Sequence, residues 1–207
     1  MRVHPSGVFA AWLGLVLTGC TQPRATDGPV QPGPQPGPQA ATVVPAREDT
    51  SSRFIGLIGT KEQHAPPFLG VPETNFYCLR SFVDRQTGET RHQLYVSDSY
   101  SGAERGWDAA RDGDGQMLRF FEITRYRITC DSGCSYAEEF AADIPESVLR
   151  TNQRGLKVVF SAHSGAEKTI TVSAAQITAQ LAAIDATQSA VRQTSPAALA
   201  GPSLPHQ

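Results

Sequence analysis

The chain has 207 residues, room for one ordinary domain with extensions. It is 40% apolar, 18% charged and 8% aromatic, with Gly 18 and Pro 15 unevenly placed and a formal net charge of −2. That balance excludes a strongly basic nucleic-acid binder and a polyacidic buffer, and no apolar run reaches the roughly 18–20 residues that a membrane-spanning helix needs.

The chain opens with a short, weakly positive start, Arg2 and His4, followed by the compact apolar stretch from Val8 to Leu17. A run of that size suits a signal peptide over residues 1–19 and is too short for a mature span. It ends in Leu17-Thr18-Gly19-Cys20. This tetrapeptide resembles the lipobox of bacterial lipoproteins, and the resemblance covers residues 1 to about 21. It implies cleavage before Cys20, which then becomes the first mature residue, with a thioether-linked diacylglycerol and an amine acylated by a palmitate-type chain. Several acyl chains anchor stably where one binds marginally, because each buried methylene adds about 0.8 kcal/mol. Gram-negative members with Asp after the cysteine stay at the inner membrane; Thr21 stands there here, which points to the outer membrane, facing the periplasm. The plainer alternative is a secretory signal with a chance cysteine at its end.

Residues 20–52 read as a lipid-anchored spacer. Residues 21–50 hold seven prolines, densest in Gln31-Pro32-Gly33-Pro34-Gln35-Pro36-Gly37-Pro38-Gln39, a composition that excludes helix and sheet. At about 3.1 Å per residue such a tether reaches on the order of 90 Å.

Residues 53–185 read as the folded unit, long enough for one core. Phe76 to Val83 and His92 to Val96 flank the turn-rich Asp84 to Glu89, a hairpin pattern. Met117 to Cys130 is rich in aromatic and β-branched residues; Tyr136, Phe140 and Ile144 share one parity; Leu156, Val158 and Phe160 alternate with polar neighbours. Ser164-Gly165-Ala166 then turns the chain into Thr169 to Val172. Short strands with frequent turns predict a mainly β fold, an antiparallel sandwich or small barrel. Two helices are expected, one starting at Pro145-Glu146, the other a short C-terminal helix packed on the sheet. In the second, Ser173 caps Ala174 to Ile184, and Ile177, Leu181 and Ile184 form the apolar stripe, with Gln176, Thr178 and Gln180 away from it. Residues 186–207, rich in Ala, Ser, Thr, Gln and Pro, read as a disordered tail.

Export implies an oxidising compartment, where a disulfide is the default for Cys78, Cys130 and Cys134. Cys130-Asp131-Ser132-Gly133-Cys134 fits a three-residue hairpin loop whose last position needs left-handed angles. That predicts Cys130–Cys134, worth roughly 2 kcal/mol for so small a loop. Cys78 pairing with one of the two remains open. A zinc site of the three cysteines with His92 or His163 is weakly supported by a C-x₃-C spacing, so no metal or other cofactor is expected.

Asp112-Gly113-Asp114-Gly115 invites a calcium reading, but in EF-hand register the loop would begin at Ala110 and end at Phe121, neither of which coordinates calcium. The stretch 97–116 reads as a long loop, and Trp107, Asp108, Asp112 and Asp114 in it are the candidate binding residues. For Trp107 the alternative is to tuck under the loop. Arg119, Arg125 and Arg127 share one parity and suggest a basic strip with Arg80 or Arg91, or else a solvated face. His64, His92, His163 and several serines are present without a Gly-x-Ser-x-Gly elbow, so no catalytic residue is assigned. The expectation is a lipid-anchored envelope protein with a non-catalytic interaction domain. Its partners would be membrane lipid through Cys20 and an envelope protein or polymer, with no nucleic acid. The alternatives are a small-ligand or metal-binding periplasmic module and, less favoured, a periplasmic hydrolase.

Overall fold

A computed structural model of the chain describes residues 41–46 and 52–194. Its strands are β1 (Val43–Pro45), β2 (Phe54–Gly59), β3 (Glu62–Gln63), β4 (Phe76–Asp84), β5 (Thr90–Ser101), β6 (Trp107–Asp112), β7 (Met117–Leu118), β8 (Phe120–Thr129), β9 (Ser135–Asp143), β10 (Gly155–Ala162) and β11 (Glu167–Ser173). Two α-helices, α1 (Glu146–Thr151) and α2 (Ala174–Thr194), complete the described part, with a 3₁₀ turn over Phe68–Gly70. The fold is mainly β and antiparallel. The larger sheet runs β1-β2-β4-β5-β9-β8 with β3 added to β4, and the smaller runs β11-β10-β6-β7. Both sheets stay open, so the barrel alternative falls away.

The layering follows from which parity each strand buries. Leu79 pairs with Leu94, and Leu94 with Ala142; all three face inward, onto the smaller sheet and α2. Phe120, Phe140 and Phe160 meet at centroid separations of 4.9 to 6.5 Å, with the Trp107 ring 5.3 Å from Phe140. Only Arg119 separates β7 in one sheet from β8 in the other, so the chain crosses between layers there.

The C-terminal helix packs on the sheet and is longer than its pattern announced. Ser173 and Gln176 form a reciprocal cap: the Gln176 N–H donates to Ser173 Oγ at 3.3 Å, and the Ser173 N–H to Gln176 Oε1 at 2.9 Å. Ile177, Leu181, Ile184 and Val191 are buried on one stripe. Gln180, expected to point away from that stripe, is fully buried: its amide donates to Ser81 Oγ at 2.8 Å and to the Leu57 carbonyl at 3.2 Å. The helix runs on to Thr194, into the stretch read as loose tail, because Gln188 bonds Thr90 Oγ1 and Val191 is buried. At the other end β1 lies inside the stretch read as spacer, where Val43, Val44 and Pro45 extend the sheet beyond β2. Residues 1–40 and 195–207, with Cys20 among them, lie outside the described residues.

The β8–β9 hairpin carries the expected Cys130–Cys134 disulfide, with Cα atoms 3.9 Å apart and Gly133 at φ 101°. Cys78 is free and buried, and burial pushes its thiol up to about 11. Such a thiol stays protonated near neutrality and is a packing residue.

Candidate binding surface

The stretch 97–116 is mostly strand: β5 runs through Ser101, and β6 starts at Trp107. The strand was hidden because its inward positions are polar. Asp98 and Glu138 are directly opposite each other on β5 and β9, and both are 2% exposed. Like charges so placed repel, and a buried carboxylate needs partners to remain. Asp98 receives Arg105 at 2.8 Å, the Trp107 indole N–H at 3.0 Å and Lys168 at 3.1 Å. Glu138 accepts from the Tyr100 hydroxyl, from the Gly106 and Trp107 backbone N–H groups at 3.1 Å each, and from Arg125 at 3.3 Å. Burial, then the Glu138 carboxylate, raises the Tyr100 phenol far above its ordinary value.

These bonds fix where the candidate residues sit. Trp107 is 2% exposed and clamped by both acids, so it is core and not a contact residue. Asp112 Oδ1 accepts the N–H groups of Asp114 and Gln116 at 3.0 and 2.8 Å, which assigns it to the turn; Asp114 is exposed at the tip of that turn. Asp108 is exposed, and its Oδ2 lies 3.9 Å from His163 Nδ1. The two line a groove of about 440 Å³ with Glu104, Arg105, Arg125 and Ser164. The sequence-derived quartet is therefore not one site. Among the described residues, no three His, Cys, Asp or Glu side chains are grouped to hold a metal.

Two histidines are bound into the interior. His64 donates through Nε2 to the Ser97 carbonyl at 2.8 Å and accepts from Lys168 at Nδ1, 3.1 Å away. Burial, then Lys168, lowers its pKa. His92 Nδ1 is 3.0 Å from Ser81 Oγ, while its Nε2, 3.5 Å from Glu146 Oε2, is buried without a hydrogen-bond partner. Burial lowers this histidine too, with Glu146 pulling the other way. Ser81, His92 and Glu146 thus line up as a nucleophile, a base and its orienting acid would. Ser81 is 0% exposed, however, and already receives the Gln180 amide, so the serine has no access to a substrate. Ser81, bonded to His92 and to Gln180, ties β4 to β5 and α2 in the interior.

The open surface lies on the other side of the larger sheet. On β8, an extra residue between Glu122 and Thr124 shifts the register against β9. Arg119 and Phe121 precede the bulge and face outward, while Arg125 follows it and faces in, onto Glu138. The basic strip expected from shared parity is therefore split between two faces. What the outward face carries instead is a lattice of cations stacked on rings. Lys61 lies 4.6 Å from the Phe76 ring centroid, and Phe76 packs on Tyr95 at 5.7 Å. Arg80 lies 4.8 Å from Tyr95 and 5.6 Å from Phe82. Arg119 covers Phe121 at 4.7 Å, and Arg53 covers Phe54 at 5.6 Å. Burial, then Glu139, raises the Tyr95 phenol strongly, so it stays a neutral donor. The signal for this face was present in the alternation of β4, where Phe76, Arg80 and Phe82 share one parity with Cys78.

No family model matches the chain, and comparison with curated proteins and with solved structures found no match.

Proposed function

We propose that this chain is a lipid-anchored protein of the bacterial cell envelope, held through acylated Cys20, whose β-rich domain is a binding module and not an enzyme. The ligand that suits it is an envelope polymer of sugar rings bearing carboxylates. The observation that carries the reading is the ring-and-cation lattice on the outward face of the larger sheet. The half-buried rings at this face, of which Phe54 at 41% is the most open, offer edges and partial faces to sugar rings, and guanidinium groups form fork-shaped bonds with carboxylates. Arg53 is taken by Asp84 and Lys61 by Glu73, which leaves Arg80, Arg91 and Arg119 on or beside that face against the carboxylates Glu139 and Asp143. A lipobox-like start and a proline-rich spacer support placement beside such a polymer.

The test is co-sedimentation of the purified full chain with isolated peptidoglycan sacculi. Arg91 and Arg119 are exposed, so Arg91→Glu with Arg119→Glu should leave the fold intact and reduce binding roughly tenfold or more, as the loss of two charge-assisted contacts implies. Equal sedimentation of both forms, or none by the parent, contradicts the polymer reading. Capture of one defined protein by crosslinking through residues 91 or 119 in intact cells would put a protein partner in its place.

A further inference from the structure

The geometry points to a second membrane contact, and we propose that the loop between β3 and β4 dips its apolar tip into the outer part of the bilayer that holds the acyl chains of Cys20. This inference rests on the anchor read at Cys20. Residues 65–72, Ala-Pro-Pro-Phe-Leu-Gly-Val-Pro, contain no charge. At the tip, Leu69 is 80% exposed and Val71 is 51% exposed, the first being the most exposed large apolar side chain of the described residues. Such exposure in a loop is ordinarily relieved by folding the tip under, and here the tip stays out. Among the described residues, the non-glycine residues with positive φ are Leu69, Glu73 and Asn75, all in this loop. Asn75, 5% exposed, holds its base by donating to the Pro66 carbonyl and accepting from the Ser99 N–H, at 2.8 and 2.7 Å. Thr74 Oγ1 accepts the Phe68 N–H and donates to the Val71 carbonyl. The tip stands out as a prong on a hydrogen-bonded base, and a bilayer accepts such a shape without a matching pocket.

The place where the spacer joins the domain favours the bilayer over a protein pocket. Thr42 is bonded in both directions to Thr60, whose neighbour Lys61 pairs with Glu73 at the base of the loop. Thr42, near the start of the described residues, therefore lies close to the base of the prong. Even fully extended, the stretch from Cys20 to Thr42 spans at most roughly 75 Å, so an anchored domain stays close to the membrane at high effective concentration. Under that condition an apolar tip too small to bind alone is enough to orient the domain. Lys61 at its base is already paired with Glu73, so insertion should not depend on anionic lipid or on salt.

The experiment uses the full chain, purified with its native acylation and reconstituted in phosphatidylcholine vesicles. The tryptophan of the domain, Trp107, is buried, so Leu69→Trp adds a reporter at the tip, and Val71→Trp gives a second reporter should the first perturb the loop. Met117→Trp, at a 71% exposed position on the smaller sheet, is the control. Flotation with the vesicles, together with quenching of the position 69 or 71 emission by roughly half or more with brominated lipid, is the expected result for a side chain about 5–10 Å below the headgroups. The Met117→Trp emission should remain open to aqueous acrylamide. Flotation with positions 69 and 71 as water-accessible as position 117 overturns the prong while leaving the anchor standing. Failure to float overturns the anchor and the prong with it.

Discussion

His64 Nδ1 accepts from Lys168, a bond that only the neutral ring makes, and the buried His92 keeps Nδ1 against the Ser81 hydroxyl. Asp98 near the first and Glu146 near the second oppose the effect of burial without reversing its direction. The folded chain thus takes up protons at lower pH than the unfolded chain, whose histidines titrate near 6.5. Stability is full above that value and falls as the pH drops below it, since the unfolded state then binds more protons. The thermal midpoint should be several degrees lower at pH 5 than at pH 7, and His92→Gln should flatten that slope; a flat profile in the parent chain refutes the assignment. At this scale the sequence was only half legible. Glu138 sits on the same parity as Tyr136 and Phe140, so a charge on an apolar row was visible, yet its partners Tyr100, Gly106 and Arg125 come from other elements and no spacing announces them. Asp98 in the same way made a strand look like a loop, because alternation is sought among apolar residues and this inward position is a carboxylate.

Among the elements, the hairpins were legible because turn chemistry is local. Asp84 shows this: Oδ1 accepts the Gln86 N–H at 2.8 Å while Oδ2 takes Arg53, and these bonds hold its carboxyl below the ordinary value. The end of α2 was not legible, since beyond Ile184 the stripe continues through the polar Gln188 to Val191 in a stretch whose Ala, Ser, Thr and Gln composition reads as a loose tail. Ending the chain after Asp185 removes the Gln188 bonds to Thr90 and Gly88 and re-exposes the surface under Val191. One buried valine and one or two hydrogen bonds imply a loss of about 2–4 kcal/mol, measurable as a lower urea midpoint with little change in slope. An unchanged midpoint would return 186–194 to the tail. The bulge in β8 is the other lesson: one unpaired residue sends Arg119 and Arg125 to opposite faces although their numbers share a parity.

For the molecule as a whole, the division of labour is between a sealed interior and an open face. One side of the larger sheet is closed by the smaller sheet and α2, where Asp98, Glu138 and Ser81 are bonded to side chains and backbone of neighbouring elements. The other side keeps its rings beneath stacked cations, the feature on which the proposed polymer binding rests. The proposed location beside an envelope polymer depends on the residues that precede β1. The most direct measurement is metabolic labelling of the chain with radioactive palmitate in a Gram-negative host, with a Cys20→Ser form run in parallel and both followed through membrane fractionation. Label on the parent only, with the substituted form released from the membrane fraction, is the predicted result. Absence of label, or identical fractionation of the two forms, would contradict it.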